Sequence, residues 1–324
     1  MPRDRREPPP PPPDSVPDSA DSFMREAAAF SEPAPSEVPA VAPLEPGELV
    51  AGRFRIERRA GHGGMGTVYR AGDASTGGHA AVKVMAKQSK SVAARFLREA
   101  EILAELSHPA VVRYIAHGTT ADGEPFLAME WLEGEDLAER LTRGALGVGE
   151  SLAVVRRAAE GLAIAHARGV VHRDLKPSNL FLVGGDAGRA TVIDFGVARV
   201  AAWAVLTRPG ASLGTVGYMA PEQAIEAADV DARADVYGLG CVLFECLTGR
   251  PPLVGRHADL LVKVLREVPP RVSELRAGAG EAIDALVARL LAKDRAQRPR
   301  DALDLVRAID ALVMPTQGQG TDAR

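Results

Sequence analysis

The residues best suited to chemistry in this chain lie in the stretch VVHRDLKPSNL, at positions 170–180. Its polar side chains are those of His172, Arg173, Asp174, Lys176 and Asn179. Apolar runs that are typical of buried segments flank the stretch on both sides. Burying a charged group is costly unless the group finds a partner. We therefore predict that a charged ligand, a metal ion or mutual ion pairs compensate these side chains.

A second charge follows an apolar strand further along the chain. In TVIDFGVA, Asp194 comes directly after the run Thr191 to Ile193, and Gly196 frees the backbone just behind it. A carboxylate in this position can hold a hard cation, and Asn179 offers a carbonyl oxygen as a second ligand. Mg²⁺ commonly takes one or two protein oxygens together with substrate phosphates, so this sparse pair favours Mg²⁺.

The segment AGHGGMGTVY has the spacing G-x-G-x-x-G at Gly61, Gly63 and Gly66. A dinucleotide-binding loop requires the third glycine to open a helix, whereas the TVY that follows here predicts a strand. The context favours a hairpin lid whose backbone N–H groups lie over phosphates. A purely structural turn is the alternative.

Lys83 lies in the apolar strand AAVKV, where a lysine is costly to bury unless an anion meets it. Glu99, on the amphipathic helix that follows, is the predicted partner. Taken alone, Lys83 is better explained as a side chain that reaches solvent from an edge strand.

The elements that must position these residues fall into two groups. RFRIERRA, TVYRA and HAAVKVM predict an antiparallel meander, and SVAARFLREAEILAEL predicts an amphipathic helix. AVVRYIAHG and PFLAMEWL resume the strand pattern, Gly134 marks a break, and the rest is mainly helical. We predict an α+β fold of two lobes, a small antiparallel β-sheet lobe with one helix and a larger, mainly helical lobe, with a ligand cleft between them.

Composition divides the chain unevenly. Of its 324 residues and 24 prolines, positions 1–46 hold 13 prolines, nine acidic and only four basic side chains. We predict that this segment is disordered. The remainder has 35 basic and 34 acidic residues, a balance that argues against nucleic acid or an anionic membrane as a partner.

Cys241 and Cys246 are the two cysteines, and both fall in one apolar helical segment. Their spacing puts them on different faces of a helix, so we interpret them as buried structural thiols of a reducing compartment. The sequence has no apolar run near the roughly 20 residues that span a bilayer. We predict a cytoplasmic protein without a membrane span.

Five motifs then occur in a fixed order: GHGGMGTV, AAVK, HRDLKPSN, DFG and YMAPE. Their order and approximate spacing resemble those of the eukaryotic-like serine/threonine protein kinases, and the chain closely resembles the bacterial branch of that family. The resemblance covers about Arg53 to Val313. It implies a two-lobed kinase domain at 49–314, with lobes at 49–131 and 132–314, between a Pro-rich acidic tail at 1–48 and a short flexible C-terminus at 315–324.

The resemblance implies that the protein transfers the γ-phosphate of ATP to Ser and Thr hydroxyls of protein substrates in signal transduction. Asp174 would accept the substrate hydroxyl proton or orient that hydroxyl, and Lys176 would steady the transferring phosphate. Asn179 and Asp194 would hold Mg²⁺, or Mn²⁺ in its place. His172 would pack near Phe195 in a structural role, because a carboxylate already occupies the position of the base.

ATP binding would involve both the glycine-rich lid and the strand that carries Lys83. Lys83 would pair with the α and β phosphates and with Glu99. Ala60 stands where a larger aliphatic residue usually covers the adenine, which would loosen ATP binding. Met129 falls where the depth of the adenine pocket is set, and an ordinary core methionine is the equal alternative. The ATP-binding residues implied are Ala60, Gly61, His62, Gly63, Gly64, Met65, Gly66, Thr67, Val68, Lys83, Glu130 and Leu132.

Regulation and substrate class follow from the same resemblance. Lys176, with Thr215 in GTVGYMAPE, is typical of Ser/Thr specificity. Arg173 before the base resembles kinases in which a phosphate on the activation loop pairs with this arginine. The candidate acceptors are Thr207 and then Ser212, and a transient homodimer would serve trans-autophosphorylation. The alternative is a constitutively active kinase with ordinary loop hydroxyls.

Three further residues match scaffolding positions of the family. Glu222 and Arg298 would form a buried ion pair that ties the activation segment to the helical lobe, and Asp235 would brace the catalytic loop. Two other readings remain open. A pseudokinase scaffold is disfavoured by the intact charged motifs, and a small-molecule phosphotransferase is disfavoured by Lys176 and the GTVGYMAPE segment.

Overall fold

The structure is a computed structural model that describes residues 43–63, 66–85, 96–97, 100–101, 103–195, 216–225 and 229–313. Its first part is a six-stranded antiparallel sheet with the strand order β1-β2-β3-β4-β6-β5. The strands are β1 (Leu49–Val50), β2 (Phe54–Gly63), β3 (Gly66–Asp73), β4 (His79–Met85), β5 (Tyr114–Thr119) and β6 (Pro125–Glu130).

The two faces of this sheet have different partners because side chains alternate along each strand. One face packs its own small core, in which Phe54 and Phe126 meet edge to face with ring centroids 6.1 Å apart. On the other face Val68, Lys83 and Leu127 lie side by side in register. Leu127 belongs to the core of the helical lobe, so this second face looks toward the helices and presents Lys83 to them.

The helix predicted at SVAARFLREAEILAEL is described only in part. Residues 96–97, 100–101 and 103–104 are helical. Phe96, Ala100 and Leu106 are buried in the main core, as the predicted apolar face requires. Glu99 lies outside the described residues.

The second lobe is mainly helical, as predicted, and one helix runs through its centre. Its elements include β7 (Gly134–Asp136), β8 (Leu180–Val183) and β9 (Ala190–Val192), which form a small antiparallel sheet. The helices are α1 (Leu137–Leu141), α2 (Val148–His166), α3 (Pro221–Ala224), α4 (Arg233–Thr248), α5 (His257–Arg266), α6 (Val272–Leu275), α7 (Gly280–Leu290) and α8 (Ala302–Val313). Helix α4 is buried along nearly its whole length and ends at Thr248, and Gly249 caps it in a left-handed conformation with a φ of +74°.

This arrangement confirms the predicted α+β architecture of a sheet lobe and a helical lobe. Ordered contacts begin before the predicted domain start at residue 49, because the Leu44 N–H donates to Tyr69 Oη and Leu44 packs on the sheet core. Cys241 and Cys246 are unpaired and buried in α4. Within the described ranges, no helix has both the length and the apolar character needed to cross a membrane.

Candidate active site

The loop that holds most of the predicted site is fixed to the strand that precedes Asp194. A 3₁₀ helix at Pro177–Asn179 begins with proline, whose fixed φ suits a helix start, and runs directly into β8. Just after β9, the Ile193 N–H donates to the Asn179 carbonyl oxygen at 2.9 Å. This bond pairs Asn179 with Ile193, the residue directly before Asp194, and so brings Asn179 close to Asp194.

Asp174 is the centre of a short polar network within the loop. Lys176 Nζ donates to Asp174 Oδ2 at 3.1 Å. The side-chain amide of Asn179 donates to the Asp174 backbone oxygen at 2.6 Å and to Oδ2 at 3.3 Å. Because the side-chain nitrogen of Asn179 is used in this way, its side-chain oxygen, Oδ1, is the atom that can bind a cation.

Lys83 and Asp194 form an ion pair that joins the sheet lobe to the helical lobe. Lys83 is 8% exposed, and its Nζ donates to Asp194 Oδ1. Burial acts to raise the pKa of Asp194, but the charge and hydrogen bond of Lys83 outweigh it and hold that pKa below its usual range. Asp194 has a φ of +58°, a left-handed conformation that is uncommon for aspartate and marks a strained position.

A buried carboxylate on α4 holds the backbone of the loop that carries Asp174. Asp235 is 1% exposed and accepts hydrogen bonds from the backbone N–H groups of His172 and Arg173, at 2.7 and 2.8 Å. It also contacts His166 Nε2 at 2.9 Å. These bonds fix Arg173 in a left-handed conformation with a φ of +64°.

The pKa of Asp235 reflects two opposed causes. Burial acts to raise it, whereas hydrogen bonding and charge interaction with His166 lower it, and the net pKa is below the usual range. A carboxylate with a depressed folded-state pKa stabilises the fold above its unfolded pKa, and this contribution is lost as the pH falls through the folded-state value. The brace therefore weakens under acid conditions and is complete at neutral pH.

His172 lies in the place predicted for it, beside Phe195. The two ring centroids are 4.8 Å apart. Nδ1 of His172 accepts the Asp174 N–H at 3.2 Å, and Nε2 lies 3.3 Å from the Ile193 carbonyl oxygen. Both ring nitrogens are thus used within the protein, which fits a positioning role better than that of a general base.

The glycine-rich hairpin comprises the end of β2 and the start of β3. Gly66 has a φ of +151°, and a Cβ there would lie 2.2 Å from the Val84 carbonyl oxygen. Glycine is therefore required for close approach of β3 to β4. The side chains of His62 and Thr67 contact each other at 2.9 Å across the hairpin.

The segment that joins the lobes begins at the end of β6. Met129 is buried in the main core and lines a cavity beside Phe195 and Asp194. The Glu130 N–H donates to the Arg113 carbonyl oxygen at 2.9 Å, and Glu130 Oε1 accepts the Arg113 N–H at 2.8 Å. These two bonds fix the chain on one side of Leu132, which is partly exposed.

Glu222 and Arg298 are brought together as the sequence predicted. Nη1 and Nη2 of Arg298 donate to Oε1 and Oε2 of Glu222 at 2.7 and 3.0 Å. The Arg298 side chain is fully buried and its guanidinium carbon lies 5.0 Å from the Tyr237 ring centroid. The pair fastens α3 to the segment between α7 and α8.

Arg298→Met should destabilise the protein by about 3 to 5 kcal/mol, because the Glu222 carboxylate stays buried without its partner. Urea unfolding of the full chain measures this free energy. Arg300→Met is the matched control, since Arg300 forms an exposed ion pair with Asp304, and we expect no measurable change from it. Equal stability of the two variants would contradict the structural role of the buried pair.

Six predicted site residues lie outside the described residues, so their placement stays a prediction. They are Gly64, Met65, Glu99, Thr207, Ser212 and Thr215. Two others that the structure brings to the site were missed. Gln223 Nε2 donates to the Arg173 carbonyl oxygen at 2.9 Å, and His166 supports Asp235. The sequence signal for His166 is weak, a single histidine at the C-terminal end of the amphipathic helix α2.

Comparison with known proteins gives one consistent result. The model of the protein kinase domain matches residues 54–307. The serine/threonine-protein kinase pkn2 of Myxococcus xanthus is 39% identical over 300 residues, which cover 86% of this chain and 35% of that protein. The serine/threonine-protein kinase PknJ of Mycobacterium tuberculosis is 37% identical over 277 residues, covering 83% of this chain and 46% of that protein.

The solved structures agree with the sequence relatives. The PknI kinase domain of Mycobacterium tuberculosis superimposes with a TM-score of 0.67 at 30% sequence identity, over 83% of this chain and 99% of that one. The chain spans about a third to a half of the length of the curated relatives it matches.

Proposed function

Because the chain belongs to the protein kinase family, we propose that it is a serine/threonine protein kinase that transfers the γ-phosphate of ATP to Ser and Thr hydroxyls of proteins. One observation carries the proposal. Asp174, Asn179 and Asp194 converge on the helical lobe directly opposite Lys83 on the sheet lobe. Phosphoryl transfer needs in-line positioning and neutralisation of phosphate charge, and these side chains provide the groups for both.

In this proposal the acceptor hydroxyl is held by the loop. Asp174 hydrogen-bonds the substrate hydroxyl and takes its proton as the hydroxyl oxygen bonds to the γ-phosphorus and the bond from that phosphorus to the β-phosphate oxygen breaks. Lys176, already 3.1 Å from Asp174, places a positive charge beside the transferring phosphate. The brace at Asp235 keeps the loop in this shape.

The residues present also fit a magnesium ion. Asp194 and the carbonyl oxygen of Asn179 are hard oxygen donors on adjacent segments, a sparse set of the kind that Mg²⁺ uses beside phosphates. When bound, Mg²⁺ neutralises phosphate charge and orients the phosphates. Lys83 binds the α and β phosphates of ATP. Its ion pair with Asp194 loosens when these phosphates bind. We propose Mg²⁺ as the ion, with Mn²⁺ as the alternative, because carboxylate and carbonyl oxygens suit both ions.

Regulation is proposed through the activation loop. Arg173 Nε is buried and has no hydrogen-bond partner among the described residues, which suits an arginine that receives a phosphate. Thr207 and Ser212 are the proposed phosphate acceptors. Charge-assisted pairing with the phosphate would order the loop.

The combined variant Thr207→Ala and Ser212→Ala should have an activity on the order of 5- to 150-fold lower than that of the phosphorylated wild type, the usual range of such couplings. Phosphatase treatment should reduce the wild type to the level of the variant and leave the variant unchanged. The measurement is phosphate transfer to a generic protein acceptor. Activity that neither the substitutions nor the phosphatase affect would support the constitutively active alternative.

The proposed function is tested by the fate of the γ-phosphate. Purified full chain is incubated with γ-labelled ATP and Mg²⁺, together with either a generic protein acceptor or a panel of aminoalcohols and aminoglycosides. We expect label on protein Ser and Thr. Label on the small molecules alone would establish a small-molecule phosphotransferase, and nucleotide binding without transfer would favour the pseudokinase scaffold.

Protein substrates are the proposed partners, and a transient homodimer is proposed for trans-autophosphorylation. We propose a cytoplasmic location for the kinase domain, because the cytoplasm supplies ATP. The thiols of Cys241 and Cys246 are free and buried, which is compatible with a reducing compartment.

A further inference from the structure

An aromatic side chain at the junction of the lobes is contacted from both of them. Trp131 follows β6 directly and is partly buried. The guanidinium groups of Arg58 on β2 and Arg70 on β3 lie 5.4 and 5.5 Å from its ring centroid. The indole Nε1 donates a hydrogen bond of 2.8 Å to Glu133 Oε1. Two cations of the sheet lobe and one carboxylate at the start of the helical lobe therefore hold the same ring.

Arg58 and Arg70 repel each other unless neighbouring groups compensate their positive charges. Arg58 and Arg70 lie directly opposite each other in the β2–β3 register, and like charges in this arrangement repel. Glu57, the extra residue at a register shift between Ile56 and Arg58, lies 3.2 Å from Arg70 Nη1. The indole ring and the Glu57 carboxylate together offset the repulsion.

Glu133 continues the connection into the helical lobe. Its carbonyl oxygen accepts the Gly184 N–H at 2.8 Å, just after β8 ends. A rotation of one lobe against the other about residues 131–133 must therefore change the contacts of the indole. Glu130 and Leu132, which flank Trp131, are also the connecting residues proposed to bind ATP.

We propose that Trp131, Arg58 and Arg70 form a hinge clamp that fixes the angle between the two lobes and thereby sets the affinity for ATP. The inference rests on the proposed function in one respect, namely that the nucleotide binds between the lobes. Trp131 is a positioning residue, because it acts through the geometry of the cleft. Loss of the clamp weakens nucleotide binding more than it slows the transfer step.

The chain offers a direct spectroscopic test, since Trp131 and Trp203 are its two tryptophans. In the full chain with Trp203→Phe, the fluorescence of Trp131 is observed alone. The test variant adds Arg58→Gln and Arg70→Gln. The matched control is Arg59→Gln, which removes the same kind of charge from the opposite face of β2, where residue 59 pairs with Tyr69.

Two quantities are measured without any catalytic turnover: acrylamide quenching of Trp131, and the Kd for a non-hydrolysable ATP analogue with Mg²⁺. We expect the test variant to be quenched more readily and to bind the analogue roughly five- to thirtyfold more weakly, the size expected when two exposed cation–π contacts are lost. The Arg59→Gln control should match the parent in both measurements.

Steady-state kinetics separate positioning from general damage. In the otherwise unchanged chain, Trp131→Leu should raise the KM for ATP with little change in kcat, and Trp131→Phe, which keeps an aromatic face, should recover most of the loss. Thermal unfolding midpoints within a few degrees of the parent show that the variants are folded.

If the Arg58→Gln, Arg70→Gln variant matches the Arg59→Gln control in acrylamide quenching or in Kd, the proposed hinge clamp is wrong. Failure of the proposed function looks different, because the parent itself would then bind nucleotide without transferring phosphate or would bind none. If the parent binds nucleotide without transferring phosphate, the Kd comparison still tests the hinge clamp. If the parent binds no nucleotide, both the proposed function and the hinge clamp are wrong.

Discussion

Asp174→Asn should lower the rate of phosphate transfer by about 10²- to 10⁴-fold, the usual contribution of a positioned general base. Asparagine keeps the size of the side chain and one oxygen that can accept from Lys176 and Asn179, so the loop geometry is retained. What it loses is the negative charge and the capacity to take a proton. The nucleotide does not contact this carboxylate in the proposed arrangement, so the Kd for ATP should stay within a factor of about 2.

The measurement is initial-rate transfer from labelled ATP beside calorimetric binding of an ATP analogue. Asp186→Asn is the matched control, because Asp186 is a loop carboxylate that caps a 3₁₀ helix through the Gly188 N–H and lies after β8, away from the proposed reaction centre. A transfer rate unchanged by Asp174→Asn would remove this residue from the reaction. A large loss of nucleotide affinity in the same variant would place it in the binding site instead.

Asp194→Asn should produce the second large loss, on the order of 10²- to 10³-fold in transfer, because the carboxylate that would hold Mg²⁺ at the phosphates is removed. Unlike Asp174→Asn, this variant should also change how nucleotide binding depends on Mg²⁺. Wild type should bind the ATP analogue more tightly when Mg²⁺ is added, whereas Asp194→Asn should show little gain. The reason is that the substitution replaces the carboxylate by a neutral amide, so the ion loses its negatively charged protein ligand.

Binding titrations with and without Mg²⁺ give this result directly. Asp310→Asn is the control, since Asp310 pairs with Arg156 elsewhere in the helical lobe and its loss leaves the cleft intact. If Asp194→Asn bound the analogue with an unchanged response to Mg²⁺, the proposed metal role of Asp194 would be wrong.

Local sequence patterns predict the architecture well because each element carries its own period. The alternation of buried positions in β3 and the apolar content of α4 are both legible in the chain. The motif residues Asp174 and Asn179 are close in sequence, so their contact follows from one short loop. The prediction of a sheet lobe and a helical lobe is confirmed for the same reason.

Contacts between distant segments were harder to predict. Lys83 meets Asp194, which is 111 positions away, whereas the sequence pointed to Glu99, which lies outside the described residues. His166 and Gln223 reach the loop only because α2 and α3 pack beside it. Such contacts depend on packing of whole elements, and no local period encodes them.

The hinge clamp illustrates a second limit of sequence reasoning. Arg58 and Arg70 become neighbours because the register of β2 shifts after Ile56, and the shift cannot be derived from residue types alone. Trp131 shows as an aromatic residue after a strand, which is an ordinary pattern. Only the assembled sheet shows that the three side chains meet.

Autophosphorylation of the full chain is the most direct test of kinase activity at Asp174. The purified full chain is incubated with ATP and Mg²⁺ beside Asp174→Asn, and phosphate on each residue is then mapped by mass spectrometry. We expect phosphate on Ser or Thr of the wild type, with Thr207 or Ser212 among the sites, and its loss in the variant. Equal phosphate on both proteins, or none on a wild type that binds ATP and labels no protein acceptor, would show that Asp174 does not catalyse phosphate transfer to protein.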